Sequence, residues 1–307
     1  MKRETVKCDI CGSDKSRLLY RKHKFAYVKC SVCGLVYIRS RITQTDFKEE
    51  AEHLARTRQL TEAKIKSDYS DFIQEIIYRP RLDLMEEYRE NGMVLDIGCG
   101  NGAFMYSAVT RGWRAIGVEL IESSALYARE NRGLDVRAGT ILDIKFADEY
   151  FDVITMWETL EHLSAPSNYL REVNRILRMN GAVLISTPNV NSLTRFLIHN
   201  RWEVFSPDKH LYLFSDKTIT TLFEKTGFKI IKLWTEDINL LTIIRNSKSS
   251  KRSDDWIEKR QETVKFTNMF RKYRSLIKVR QLINGVLSNI RIGDTLYVLA
   301  QKSCNLS

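Results

Sequence analysis

A chain of 307 residues, 43% hydrophobic and 28% charged with only four prolines, has the balance of a folded protein with a sizeable core and not of a disordered or collagen-like one. Its net charge of +11 is unevenly spread: residues 1–40 hold ten Lys/Arg against three acids and residues 245–292 thirteen against four, so a mildly acidic middle lies between two basic attachments. No run approaches about 18 uninterrupted apolar residues, and the N-terminal positive charges lead into no apolar stretch, so a cytoplasmic chain without leader or membrane span is expected.

Residues 1–42 carry the first motif. Cys8 and Cys11 are separated from Cys30 and Cys33 by eighteen residues, and Gly12 and Gly34 follow the two pairs directly. Two such turns present four soft ligands to a tetrahedral, closed zinc site, which leaves no open position for chemistry and organises a ribbon too small to fold on its own core. Six cysteines in a chain with no export signal point to metal and not to disulfides. Arg17, Arg21, Lys22, Lys24 and Lys29 lie between the pairs, where a phosphate-holding face and a merely solvated one both fit.

Residues 43–90 read as a helical connector of two or three helices. Glu, Lys, Arg, Gln and Leu dominate it, and Leu60, Ile65, Tyr69, Phe72, Ile76 and Ile77 recur at helical spacing. Tyr69, Tyr78 and Arg81 sit where they could cap a pocket, with packing as the plainer role.

At Met93 the pattern changes to a buried strand running into Gly98, Cys99, Gly100, Asn101 and Gly102, then a helix from Ala103 to Thr110. Glycines there let backbone approach a ligand, and Asp96 at the strand end puts a carboxylate beside it. The next strand, from Trp113 to Val118, ends in Glu119, a position from which an acid can accept hydrogen bonds from both hydroxyls of a ribose. Met105 stands where a GxGxxG pyrophosphate fingerprint would need its third glycine, which argues against a dinucleotide.

The segment VLDIGCGNG, the acid Glu119, FDVITMWETLEHL at 151–163 and LREVNRILRMNGAVLISTPN at 170–189 together resemble the class I S-adenosylmethionine-dependent methyltransferases, in that order and over about residues 91–236. The resemblance implies an α/β fold for residues 91–307: a Rossmann-like, seven-stranded, mostly parallel sheet with helices on both faces and an antiparallel last strand. Further strands are expected at 134–138, 151–157, 182–187, 228–235 and 295–301, which makes 245–292 a helical insertion before the last one. By the same resemblance Asp96, Gly98, Cys99, Gly100, Gly102, Glu119 and Leu120 hold the methionine and ribose parts of S-adenosyl-L-methionine, Thr140 and Ile141 the adenine, and Met156 and Trp157 the methionyl end.

Methyl transfer asks the protein to align the acceptor, exclude water and remove a proton from a hydroxyl. His162 and His210 are the candidate bases. Glu158, Glu161 and His162 follow the spacing ExxEH, which helical pitch would gather on one face; in some small-RNA and ubiquinone-pathway methyltransferases a similar ExxEH and a later histidine bind a divalent metal. Glu158, Glu161, His162 and His210 are therefore also a candidate Mg²⁺ site. Asp208 and Tyr212 lie in the long segment 188–214, which reads as an acceptor-site lid or as a loop packed by its own aromatics.

The insertion has an exposed linker at 247–255 followed by apolar residues at helical intervals interleaved with Lys and Arg. It could pack on its own domain or on a second subunit, or touch a membrane peripherally through 256–290. N-terminal zinc ribbons on this kind of domain resemble methyltransferases of sugar, polysaccharide and secondary-metabolite pathways. The leading expectation is O-methylation of a small-molecule or carbohydrate acceptor; the rivals are ribosomal RNA methylation and a binding protein without turnover.

Overall fold

The computed structural model describes residues 3–22, 25–43, 52, 77–207, 209–238, 243 and 274–306. Most of the connector, Asp208 and the greater part of the basic insertion lie outside them.

Among the described residues thirteen strands build a seven-stranded sheet, a four-stranded sheet and a two-stranded pair. The N-terminal ribbon contributes β1 (Arg3–Thr5), β2 (Ser16–Lys22), β3 (Phe25–Cys30), β4 (Val36–Ile38) and β5 (Ser40–Ile42). The larger sheet holds β6 (Met93–Ile97), β7 (Arg114–Glu119), β8 (Asp135–Ala138), β9 (Phe151–Trp157), β10 (Leu177–Pro188), β12 (Phe228–Glu236) and β13 (Thr295–Lys302) in the order β12-β13-β10-β9-β6-β7-β8. The strands from β10 to β8 pair in parallel, whereas β13 runs antiparallel between β10 and β12. All seven expected strands are present, and the last is reversed as expected. The chain winds outward from β6 through β7 to β8, then restarts at β9 and winds the other way. The crevice between the carboxyl ends of β6 and β9 is therefore the topological switch point, where open α/β sheets bind ligands.

Every residue of β6 is buried, because helices cover both faces. Alternate side chains divide between two cores. Val94, Val153 and Leu184 face α1 (Arg79–Met85) and α2 (Ala103–Val109), while Leu95, Ile154, Val183 and Ile185 face α4 (Pro166–Ile176) and α6 (Asp216–Lys225). A third cluster seats α3 (Glu122–Arg132) beneath α2. The helices have clear starts and stops: Pro166 opens α4, a Ser215–Thr218 capping box opens α6, and Gly133 at φ 64° closes α3.

Position 152 carries a feature the motifs did not show. The buried Asp152 accepts the N–H groups of Glu90, Asn91, Gly92 and Met93 on one oxygen and the Arg178 guanidinium, at 2.9 Å, on the other. It thereby pins the entry to β6 against β9. Burial opposes its charge, but these donors outweigh the cost and hold its pKa below the ordinary carboxylate value.

The ribbon is joined to the larger body by sheet pairing. β11 (Tyr212–Leu213), from the long 188–214 segment, pairs antiparallel with β4 and completes the sheet β11-β4-β3-β2. That segment also forms α5 (Leu193–Ile198), and Trp202, Phe205 and Leu213 share a core with Phe25, Tyr27, Val36 and Ile38 of the ribbon. Its aromatics thus pack on the ribbon, with Phe205 4.6 Å from Tyr20 and 5.2 Å from Tyr27 between ring centres.

Candidate functional site

The glycine turn after β6 shows why each glycine is there. Gly98, Gly100 and Gly102 all have left-handed backbones, at φ 72°, 54° and 76°. A Cβ at Gly98 would meet Thr159 Oγ1 at 2.5 Å and one at Gly102 would meet Leu134 Cδ1 at 2.4 Å, so these two shape the turn. A Cβ at Gly100 would meet nothing within 4 Å. This residue faces the open crevice, leaving room for a ligand to lie against the chain.

Two buried carboxylates flank that opening. Asp96 accepts the Thr155 hydroxyl at 2.7 Å; burial, reinforced by the nearby Glu119, raises its pKa to about 7. Glu119 accepts the Gly100 N–H at 2.8 Å on one oxygen and the Ile121 N–H at 2.9 Å on the other. Burial raises its pKa too, and these donors fix its rotamer while leaving each oxygen acceptor capacity for a ribose hydroxyl.

The remaining expected cofactor residues divide by burial. Cys99, Ile141 and Met156 point their side chains into the cores, so what they offer a ligand is backbone. Leu120 and Thr140 are half-buried at the crevice, with the Thr140 hydroxyl donating to Asp143 at 2.7 Å. Trp157 packs on Phe104 at 4.9 Å, which in turn meets the edge of Tyr78 at 5.5 Å, forming an aromatic wall. Its Nε1 has no hydrogen-bond partner among the described residues. Arg81 serves packing, lying 4.4 Å over Tyr297 and paired with Glu236.

The chain leaves β9 through Glu158, a non-glycine residue at φ 48°, whose N–H bonds Ser186. Such strain persists only where surrounding contacts impose it. A short 3₁₀ turn, Leu160–His162, follows, so the helical grouping expected of ExxEH does not form. Glu161, His162 and His210 instead converge, each with a ligand atom within 4.8 Å of the others, while the Glu158 carboxylate turns to Ser186. Glu158 is exposed to solvent, yet crowding of its carboxylate by protein and then the charge of Glu161 raise its pKa to about 8.

The three converging groups are held individually. Glu161 is fully buried; Oε2 accepts from the Thr187 hydroxyl at 2.9 Å, whereas Oε1 has no hydrogen-bond donor among the described residues and lies 3.8 Å from His162 Nε2. Burial raises its pKa to about 7 and lowers that of His162. Both imidazoles donate Nδ1–H to a carbonyl at 2.8 Å, His162 to Lys209 and His210 to Val204. A carbonyl only accepts, so in each neutral ring the lone pair resides on Nε2. The rings stand 5.0 Å apart.

The ribbon fixes this corner from behind. The Tyr27 hydroxyl donates to the His210 carbonyl at 2.9 Å, Ile38 N–H donates to Leu211 O, and Leu211 N–H donates to Glu161 O. Buried Arg41 links Glu4, the Tyr212 hydroxyl and Ser164 O. Within the ribbon, packed against the larger body, the thiols of Cys8, Cys11, Cys30 and Cys33 converge within 4.8 Å, unbridged, on turns closed by Gly12 and Gly34. Such a set of four soft donors fits a tetrahedral cation.

Thr155, Ser186, Thr187, Tyr27 and Arg41 were not foreseen as site residues. They are recognisable only through contacts between distant segments, although Thr187 falls in the STPN stretch that the resemblance covers.

A family model described as a methyltransferase domain matches residues 67–233. The chain is 35% identical over 104 residues to a ubiquinone biosynthesis O-methyltransferase of Pseudomonas aeruginosa (strain UCBPP-PA14), covering 32% of this chain and 45% of that one. It is 29% identical over 147 residues to a probable S-adenosylmethionine-dependent methyltransferase of Mycolicibacterium smegmatis, covering 45% and 52%. It thus spans about half the length of these relatives. Among solved structures it is similar to a SAM-dependent methyltransferase from Archaeoglobus fulgidus, with 21% identity, a TM-score of 0.49 and coverage of 77% of this chain and all of that one. With the family model matching more than half of its residues, the chain belongs to the methyltransferase-domain family, as a class I S-adenosylmethionine-dependent methyltransferase.

Proposed function

We propose that this methyltransferase methylates a hydroxyl of a small-molecule or carbohydrate acceptor, with His162 and His210 as the groups that take its proton. The observation that carries this reading is the pair of imidazoles, 5.0 Å apart, whose Nδ1–H groups are tied to carbonyls, so that in each neutral ring Nε2 is the nitrogen that accepts a proton. Oxygen acceptors must lose a proton, and burial keeps His162 neutral and able to receive it. The bound cofactor supplies an electrophilic methyl group. Gly100 gives it room, Glu119 binds the ribose hydroxyls, and the Tyr78–Phe104–Trp157 wall excludes water beside the reacting centre. The named activity of the ubiquinone O-methyltransferase relative supports an oxygen acceptor.

A second reading of the corner rests on Oε1 of Glu161, which meets no hydrogen-bond donor among the described residues. A buried carboxylate oxygen with no donor among the described residues, converging with the imidazoles of His162 and His210, fits a divalent cation, which would be held by Glu161, His162 and His210 and would acidify an acceptor hydroxyl. Glu158 would then act outside the ligand set. In the ribbon, Cys8, Cys11, Cys30 and Cys33 are assigned a structural zinc ion.

The test is methyl transfer from labelled S-adenosylmethionine to a panel of nucleotide sugars, free saccharides, phenols and total RNA. Label is expected on a hydroxylated small molecule, with His162→Ala or His210→Ala lowering turnover about 10²–10⁴-fold. Full activity after chelation, with zinc still on the ribbon, selects the base reading; restoration by Mg²⁺ or Mn²⁺ selects the metal reading. Label on RNA alone would overturn both in favour of nucleic acid.

A further inference from the structure

Helix α7 (Arg274–Ile290) presents an apolar stripe to the outside. Leu282 is 73% exposed, Ile283 45%, Val286 60% and Ile290 56%, at spacings that keep them on one side of a helix. These are not core residues awaiting their own domain, because the opposite side is already seated. Leu287 is buried, its carbonyl accepts the Thr235 hydroxyl at 2.9 Å, and Asn284 accepts the Asp237 N–H at 2.9 Å. A soluble surface seldom leaves so many adjacent large apolar side chains uncovered.

Charge selects the occupant. The helix contains Arg274, Lys278 and Arg280 and no Asp or Glu, and the surrounding stretch 245–292 holds thirteen Lys/Arg against four acids. Exposed Lys278 lies one turn from Leu282. A second copy docked symmetrically would set basic helix against basic helix. Single-stranded nucleic acid would want aromatic platforms, and the stripe has none. An apolar stripe on a helix of basic composition without acids, with exposed Lys278 beside it, matches an anionic lipid surface.

The position of the stripe fits the same occupant. The end of α7 is fastened to the crevice rim: Asn189 Nδ2 donates to Arg291 O at 3.1 Å and Gly293 O at 2.9 Å, and Leu193 N–H donates to Ile292 O at 2.8 Å. Leu193 begins α5, which adds the exposed Phe196 and Leu197. Both helices thus adjoin the carboxyl end of β10, the end at which the site opens.

We propose that α7 is a membrane-docking helix: the stripe Leu282, Ile283, Val286 and Ile290 enters the interface of an anionic phospholipid bilayer while Lys278, one turn from Leu282, meets the headgroups. Docking would hold the crevice rim near the bilayer, so that an acceptor carried by a lipid could reach it. Only this orientation rests on the acceptor site proposed above; the lipid contact stands on α7 alone.

The experiment is co-sedimentation of the zinc-loaded full chain with vesicles of phosphatidylglycerol mixed with phosphatidylcholine and with vesicles of phosphatidylcholine alone. The protein is expected to bind the anionic vesicles, to lose binding as salt rises, and to leave the neutral ones at least about tenfold less occupied. The triple change Leu282→Ser, Val286→Ser and Ile290→Ser should lower anionic-vesicle affinity at least about tenfold, with unchanged affinity for S-adenosylhomocysteine showing that the fold is intact. Absence of binding by the wild type, or undiminished binding by a folded variant, would overturn the proposal. So would sedimentation velocity showing a wild-type dimer that the triple change dissociates, which would give the stripe to a second copy.

Discussion

The two halves of the crevice are built in opposite ways. The cofactor half is local: one strand, one glycine turn and the acid that ends the next strand supply Asp96, Gly100 and Glu119 within 24 consecutive residues. The acceptor half is assembled from three separated segments, the 3₁₀ turn at 160–162, the stretch ending in β11, and the ribbon, whose Tyr27 reaches the His210 carbonyl across 183 positions. Local geometry is fixed by glycine conformations and backbone hydrogen bonds, which persist when remote parts of the molecule are disturbed. Assembled geometry depends on every segment that contributes to it, and here one segment is expected to depend on a metal.

The largest effect should come from breaking the assembled half at the ribbon's thiols. In Cys30→Ser/Cys33→Ser the ribbon loses two of its four converging thiols, and closed zinc sites in small metal domains contribute about 10–16 kcal/mol to folding. Metal analysis should fall from about one zinc per chain to none. Hydrogen exchange should rise over β3, β4 and residues 209–214, while affinity for S-adenosylhomocysteine changes by no more than a few fold. Loss of cofactor binding to the same degree would erase the distinction between the halves.

A smaller effect is expected at the base of the cofactor half. Asp152→Asn removes the charge that faces Arg178 and four backbone N–H groups, at a cost of about 3 kcal/mol in denaturant unfolding at neutral pH. Because the folded-state pKa of Asp152 is depressed, its contribution is fully present above the unfolded value of about 3.9 and disappears as pH falls through the folded value below it. The gap between wild type and variant should therefore narrow in acid below about pH 4. A gap independent of pH would remove the charge from the explanation.

The same contrast explains what could be read in the sequence. The seven strands, the reversed last strand and the glycine turn are written in runs of buried residues and in glycines at set spacing, features that belong to single segments. Even the strand shifts are small: the expected strand at 182–187 begins at Leu177, with Asn180 at φ 63° in the irregularity before Ala182. His162 and His210 can be named as chemical residues one at a time, but their 5.0 Å approach and their shared tautomer depend on Lys209 and Val204 carbonyls that no periodicity specifies. ExxEH suggested a helical face, whereas the left-handed Glu158 ends the strand and turns its carboxylate to Ser186. The role of Asp152 and the pairing of β11 with the ribbon are likewise tertiary facts, set between residues 60 and 175 positions apart.

Calorimetric titration with S-adenosylhomocysteine tests the central claim, a class I methyltransferase whose cofactor lies over Gly100 and against Glu119, most directly. The wild type should bind one equivalent, and Glu119→Ala should weaken binding by about 1–3 kcal/mol, the cost of losing hydrogen bonds to a charged acceptor. NADH titrated in parallel should give no heat of binding. Binding of NADH in place of S-adenosylhomocysteine, or equal affinity in the Glu119→Ala variant, would contradict the account.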